Sequence, residues 1–238
     1  MHIHYFQHVE CEDPLEILAW AQARGHSITG TRLDRDEPLP VPSAFDALVV
    51  MGGPMNIYEH ERFPWLQQEK ALLRAAVDAG KGVLGICLGA QLLADVLGGP
   101  VTRNPEPEIG WREVSVTAAG AASPIFAGIP PVFCPMHWHG DTFAIPPGCV
   151  HAIQSDACAN QAFVSADGRC VGLQFHLEEN ERGVELLLEN WADDLVDAPF
   201  VQSADAIRAE MAAATAATRP VLFRLLDNWA EALKDWSR

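Results

Sequence analysis

Val83-Leu84-Gly85-Ile86-Cys87-Leu88-Gly89-Ala90-Gln91 decides the fold of this 238-residue chain. It opens as a short apolar strand, passes through one cysteine, and continues as a helix from Gly89 through Leu92, Leu93, Val96 and Leu97. A side chain at such a joint stands on a sharp turn at the sheet edge, and Gly85 and Gly89 remove the Cβ atoms that would crowd it. The helix N-terminus beside the sulfur favours thiolate over thiol and offers backbone N–H groups to an anion. Cys87 is a candidate nucleophile on these grounds, although taken alone it reads equally as a small buried hydrophobe.

A partner far downstream favours the nucleophile. Gly172-Leu173-Gln174-Phe175-His176-Leu177-Glu178 is a second apolar strand ending in a histidine and, two residues on, a glutamate. A cysteine nucleophile needs a base to share its proton and a third group to orient that base. Two parallel strands ending in Cys and in His-x-Glu supply all three at one sheet edge.

The surrounding pattern alternates short apolar strands with helices. His2 to Phe6 reads as a strand, about Pro14 to Ala23 as a helix N-capped by Asp13, and His26 to Thr31 as a second strand. Ala47 to Met51 is continuously apolar, as expected of a strand covered on both faces, and Phe63 to Ala79 carries a helical-period apolar face ended by Gly80. This alternation predicts an α/β fold with a doubly wound, mostly parallel sheet and helices on both faces. Thr102 to Glu113, polar and proline-punctuated, reads as a loop near the site mouth. From Val114 to Cys170 the texture changes to short strands: Val114–Thr117, Val132–Trp138, Thr142–Ile145, Val150–Gln154 and Ala162–Ser165. Glu181 to Val196 reads as a helix, and two more follow, about Ala204 to Ala217 and Pro220 to Trp236.

Three separated pieces in fixed order make the chain resemble the class I (triad) glutamine amidotransferases. They are Met51-Gly52-Gly53-Pro54, Gly85-Ile86-Cys87-Leu88-Gly89-Ala90-Gln91 and Gln174-Phe175-His176-Leu177-Glu178, spanning roughly residues 45 to 180. His139-Gly140-Asp141 is similar to the segment lining the family's glutamine pocket. The amidotransferase half of GMP synthase is the nearest pattern, with Leu177 standing where those enzymes usually carry proline. The resemblance implies a flavodoxin-like sheet with a small antiparallel β insertion ahead of the histidine strand. It also implies a Cys87–His176–Glu178 triad, an oxyanion hole of the Gly53 and Leu88 N–H groups, and substrate contacts from Gln91, Trp138, Gly140 and Asp141. The implied reaction releases ammonia from the glutamine side chain through a γ-glutamyl thioester, without a cofactor. Two alternatives stay open: a γ-glutamyl peptide or conjugate hydrolase using the same triad, and a non-catalytic regulatory protein on the same scaffold. No ATP-activating domain follows and no GxxxxGK[ST] motif is present, so a true amidotransferase here implies a synthase subunit supplied in trans.

Composition narrows the remaining classes. Hydrophobic content is 49% and the formal net charge is −16, so a phosphate backbone would be repelled. The most apolar run, Val83 to Gly99, is broken by Gln91 and Asp95, which argues against a membrane span. Six cysteines (11, 87, 134, 149, 158, 170) form no CxxC pair and no zinc spacing, and without a signal-peptide pattern they are expected as free thiols in a reducing cytoplasm. His137, His139 and Asp141 invite a metal reading, but they share one strand face only if the strand stays extended, and Gly140 suggests a turn; no metal is expected. The organisation expected is an amidotransferase-like domain over 1–196 and a helical extension over 197–238 on the same domain. Its stripe of Leu222, Leu225, Leu226, Trp229, Leu233 and Trp236 packs onto the chain's own core or forms a homodimer face.

Overall fold

The structure is a computed structural model and describes residues 1–234. In chain order the regular elements are β1 (His2–Gln7), α1 (Leu15–Ala23), β2 (Ser27–Arg32), β3 (Ala47–Val50), α2 (Trp65–Asp78), β4 (Gly82–Ile86), α3 (Leu88–Val96), β5 (Val101–Trp111) and β6 (Val114–Val116). They continue with α4 (Ala118–Ala121), β7 (Val132–Phe133), β8 (Met136–Phe143), β9 (Cys149–Gln154), β10 (Ala162–Ser165), β11 (Cys170–Leu173), α5 (Glu181–Asn190) and α6 (Ala204–Lys234). Nine strands form one sheet in the order β2-β1-β3-β4-β11-β10-β9-β6-β7. The five from β2 to β11 pair in parallel, and the remainder, the expected insertion, pair antiparallel. β5 and β8 make a separate two-stranded ribbon.

Strand β3 shows why the sheet is buried on both sides. Ala47 and Val49 enter one apolar cluster with Ile17 and Trp20 of α1 and Leu222, Leu225 and Trp229 of α6. Leu48 and Val50 enter the other, with Leu66 and Leu73 of α2 and Leu92 and Leu93 of α3. Period-two alternation with no polar face is what a two-sided helix cover requires. The α/β, doubly wound, mostly parallel architecture expected from the sequence is therefore the fold. No helix among the described residues is long and apolar enough to cross a membrane.

Several local expectations are corrected. Thr102–Glu113 is not a loop: β5 pairs antiparallel with β8, with Val101 opposite Phe143 and Trp111 opposite Met136. The ladder is interrupted between Arg103 and Glu108, where Pro105 and Pro107 lie, so neither proline has to donate to a regular rung. The two strands expected at Val132–Trp138 and Thr142–Ile145 are redistributed, because β8 runs through Gly140 without turning. The two C-terminal helices are one helix, α6, with Pro220 inside it. Pro220 and Ala216 are both exposed, so the carbonyl deprived of its donor faces water. The α6 stripe through Leu222, Leu225, Leu226 and Trp229 is buried in the chain's own core, which leaves those residues no role on a homodimer face; Trp236 lies outside the described residues. Helix α5 stops at Asn190, and a 3₁₀ turn takes residues 192–194. Pro14, rather than Asp13, holds the N-cap position of α1, while Asp13 Oδ1 accepts the Leu15 N–H at 3.0 Å.

Candidate active site

Cys87 sits between β4 and α3 with φ 50° and ψ −107°, a strained left-handed conformation of the kind concentrated at functional sites. Its neighbours explain how the chain tolerates the turn. The Cys87 N–H donates to the Leu173 carbonyl of β11 at 2.8 Å, and the Cys87 carbonyl accepts the Ala90 and Gln91 N–H groups at 3.0 and 3.1 Å. A Cβ on Gly85 would lie 2.3 Å from the Gly89 carbonyl oxygen, and one on Gly89 would lie 2.0 Å from the Val50 carbonyl oxygen. Glycine at these two positions is a steric requirement of helix α3 lying tight on the sheet.

His176 follows β11, and its backbone is tied to the β8 ribbon through Met136: the His176 N–H donates to the Met136 carbonyl at 2.8 Å, and the reverse bond is 3.2 Å. Its ring Nδ1 lies 2.6 Å from Glu178 Oε1, whose other oxygen accepts the Leu177 N–H at 3.0 Å. The imidazole and the Cys87 thiol line the same cavity. Burial disfavours the charged ring, yet the Glu178 carboxylate and the sulfur outweigh it and hold the imidazole well above its ordinary range. Sulfur and imidazole thus line one cavity, with the imidazole hydrogen-bonded to the Glu178 carboxylate behind it.

An open cavity of about 880 Å³ lies over the sulfur. Cys87, His176, Gly53, Gln91, Trp138, Gly140 and Asp141, all singled out from the sequence, line it. Leu88 opens α3, with a buried side chain. The Trp138 carbonyl lies 3.7 Å from Cys87 Sγ, while the Trp138 indole donates to Asp194 at 3.0 Å. Gln91 Nε2 donates to Gln174 Oε1 at 3.2 Å, and Gln174 Nε2 lies 3.7 Å from Cys87 Sγ. Asp141 accepts from Asn56 Nδ2 at 2.7 Å.

Sequence reasoning does not reach Glu12. It lines the cavity, is 7% exposed, and stands beside Gly52 and His176. Burial raises its carboxyl group, against the pull of His176 and His8. It sits in no recognisable motif, and only the three-dimensional packing of the loop after β1 brings it here. Glu179 is buried as well, and neither of its carboxylate oxygens has a hydrogen-bond partner among the described residues.

The expectation that Gly140 breaks the strand is overturned, so His137 and His139 do share a face. The group they meet is Glu108 of β5, not Asp141: Glu108 Oε2 lies 3.2 Å from His139 Nε2 and 3.5 Å from His137 Nδ1. That oxygen also accepts from Gln161 Nε2 and Ser155 Oγ, so protein donors already occupy it. Burial opposes ionisation of Glu108, but the His139 hydrogen bond and His137 nearby hold it below its usual range, while burial pushes His137 down to about 3.

Fold and site together define a class. Residues 16–191 match the family model for "Glutamine amidotransferase class-I", and the chain belongs to that family. It is 34% identical over 217 residues to the glutamine amidotransferase-like protein YfeJ of Salmonella typhimurium, covering 88% of this chain and 90% of that one. A glutamine-hydrolyzing GMP synthase of Aeropyrum pernix is 36% identical over 154 residues, covering 64% of this chain and only 28% of that protein. Among solved structures, a glutamine amidotransferase of Methylobacillus flagellatus superposes with a TM-score of 0.90 at 30% identity, covering 97% of this chain and 94% of that one.

Proposed function

We propose that the protein hydrolyses the side-chain amide of glutamine or of a γ-glutamyl compound, with Cys87 as nucleophile. The observation that carries this reading is the convergence on one cavity of Cys87, at the strained end of β4, and His176, which follows β11 and is hydrogen-bonded to Glu178. In the proposed reaction the Cys87 thiolate adds to the carboxamide carbon. The N–H groups of Gly53 and Leu88, neither of which has a protein acceptor among the described residues, receive the oxyanion. As the C–N bond breaks, His176 transfers its proton to the departing nitrogen and a γ-glutamyl thioester remains. Water then attacks the thioester, giving a proton back to His176, and release of the sulfur frees the γ-carboxylate. Glu178 holds the imidazole in the tautomer this requires. Gln91, Trp138, Gly140 and Asp141 are assigned to the substrate's other end.

One observation favours the γ-glutamyl conjugate as substrate over free glutamine. The cavity, about 880 Å³, falls in the upper part of the roughly 300–1,000 Å³ range of drug-sized ligand sites, more room than one amino acid fills. If the ammonia instead serves synthesis, an acceptor synthase meets this mouth; a relative from Sulfurisphaera tokodaii is named as one subunit of a glutamine-hydrolyzing GMP synthase. The deciding experiment measures turnover of glutamine and of γ-glutamyl amides by the wild type and Cys87→Ala. Hydrolysis of either substrate that disappears in Cys87→Ala is the expected result; undiminished turnover by Cys87→Ala refutes the assignment.

A further inference from the structure

The peptide unit joining Gly52 to Gly53 is flanked by glycines on both sides. A glycine pair lets the plane between them rotate with little steric resistance, whereas Pro54 restricts Gly53 itself to extended backbone. The carbonyl and N–H of a trans peptide point in opposite directions. Rotation of this one plane therefore decides whether the Gly53 N–H or the Gly52 carbonyl oxygen is turned toward the sulfur, an attractive or a repulsive group for a developing oxyanion.

The carbonyl side of that peptide is held. His8, fully buried at the end of β1, places Nδ1 2.8 Å from the Gly52 oxygen and Nε2 3.0 Å from Glu69 Oε1 on α2. Trp65 stacks on the ring, with centroids 5.4 Å apart, and Glu69 is likewise fully buried. Two acceptors flank the ring, so the contact to Gly52 is attractive only when Nδ1 carries a proton, and the carboxyl group at Nε2 secures that arrangement. Although burial disfavours the charged ring, Glu69 and the Gly52 carbonyl together hold its pKa above the ordinary value. A Cβ on Gly53 would lie 3.0 Å from His8 Cβ and 3.0 Å from Leu88 Cδ2, so the segment is wedged between the two.

We infer that His8, braced by Glu69, is a positioning residue that locks the Gly52–Gly53 peptide with its N–H turned toward the Cys87 sulfur. The inference rests on the reading of this crevice as a hydrolytic site, and it adds a pair of buried residues that touch neither sulfur nor substrate. Such a pair acts on the transition state, where the oxyanion forms, and leaves ground-state binding and the reactivity of the thiol in place.

The test compares the full-length wild type with His8→Phe/Glu69→Met, which replaces the buried pair by apolar groups of similar volume, and with His8→Asn, whose amide keeps a donor near the Gly52 oxygen. The double variant is expected to lose about 10²-fold in kcat, the usual effect of one oxyanion donor, with KM and the rate of Cys87 alkylation by iodoacetamide little changed. His8→Asn is expected to recover at least about a tenth of the wild-type kcat, since the donor is retained. A crystal structure of the double variant is expected to show the Gly52 carbonyl rotated. A double variant that turns over like the wild type, or whose peptide stays unrotated, overturns the inference. Should the wild type hydrolyse neither substrate, the hydrolytic reading fails separately, and the crystal structure alone decides the lock: a rotated peptide supports it and an unrotated one overturns it.

Discussion

Glu178→Gln tests the triad most directly, because the replacement keeps the shape of the side chain and changes only its hydrogen-bonding sense. The carboxylate accepts two bonds, one oxygen from His176 Nδ1 at 2.6 Å and the other from the Leu177 N–H at 3.0 Å. A glutamine amide has one acceptor and one donor. With its oxygen toward His176, its NH₂ confronts the buried Leu177 N–H, and an unsatisfied buried donor costs about 1–3 kcal/mol. With the amide reversed, the NH₂ faces Nδ1 and drives the ring proton to the nitrogen beside the sulfur, so the imidazole no longer accepts the thiol proton. Both orientations also remove the negative charge that lifts the His176 pKa. By analogy with the loss from a wrong imidazole tautomer in triad hydrolases, kcat is expected to fall by about 10²–10⁴-fold. The assay pairs steady-state turnover with an NMR titration of His176, whose midpoint is expected to fall in the variant. Turnover within about threefold of wild type, with an unmoved His176 midpoint, would refute the reasoning.

Three further outcomes follow from the same geometry. Gly89→Ala forces a Cβ to within 2.0 Å of the Val50 carbonyl oxygen, so α3 must lift from the sheet; thermal unfolding is expected to show a loss of about 1–3 kcal/mol together with reduced turnover. Glu179 is buried without a hydrogen-bond partner among the described residues, and its carboxyl pKa is raised well above the ordinary range, first by burial and then by Glu178. Such a raised acid contributes stability below the unfolded-state value of about 4.3 and loses it as pH rises toward the folded value, so Glu179→Gln is expected to increase Tm more at alkaline than at acidic pH. At about pH 7, iodoacetamide is expected to label Cys87 ahead of Cys149, whose thiol burial pushes up to about 11; mass spectrometry of partly labelled protein reads the order.

The central strands and the residues at their ends are legible in the sequence because local rules dictate them. Unbroken apolar runs mark strands covered on both faces, and a glycine on each side of Cys87 marks a helix pressed against a strand. The ribbon strand β5 is not legible, since its strand character comes from pairing with β8 and its prolines fall where the ladder is already interrupted. Pro220, which lacks an N–H, divides helix α6 in two by local rules; in the fold, exposure of the freed carbonyl and burial of Leu222 and Trp229 carry the helix through. Glu12 and His8 escape for a different reason. Their neighbours are distant in sequence, and an isolated acid or histidine in a loop carries no period or spacing to betray it.

The division of the crevice between two hydrogen-bonded ladders has an evolutionary consequence. Cys87 and His176 project from the parallel sheet, whereas Trp138, Gly140 and Asp141 belong to a ribbon whose Met136 pairs through the backbone with His176. On the proposed reading, the reacting atoms sit on the sheet, while the ribbon, with Gln91 of α3, meets the substrate's other end. A lineage can remodel one wall for a new amine while leaving the reacting atoms untouched, and an engineer seeking altered selectivity would start with the ribbon.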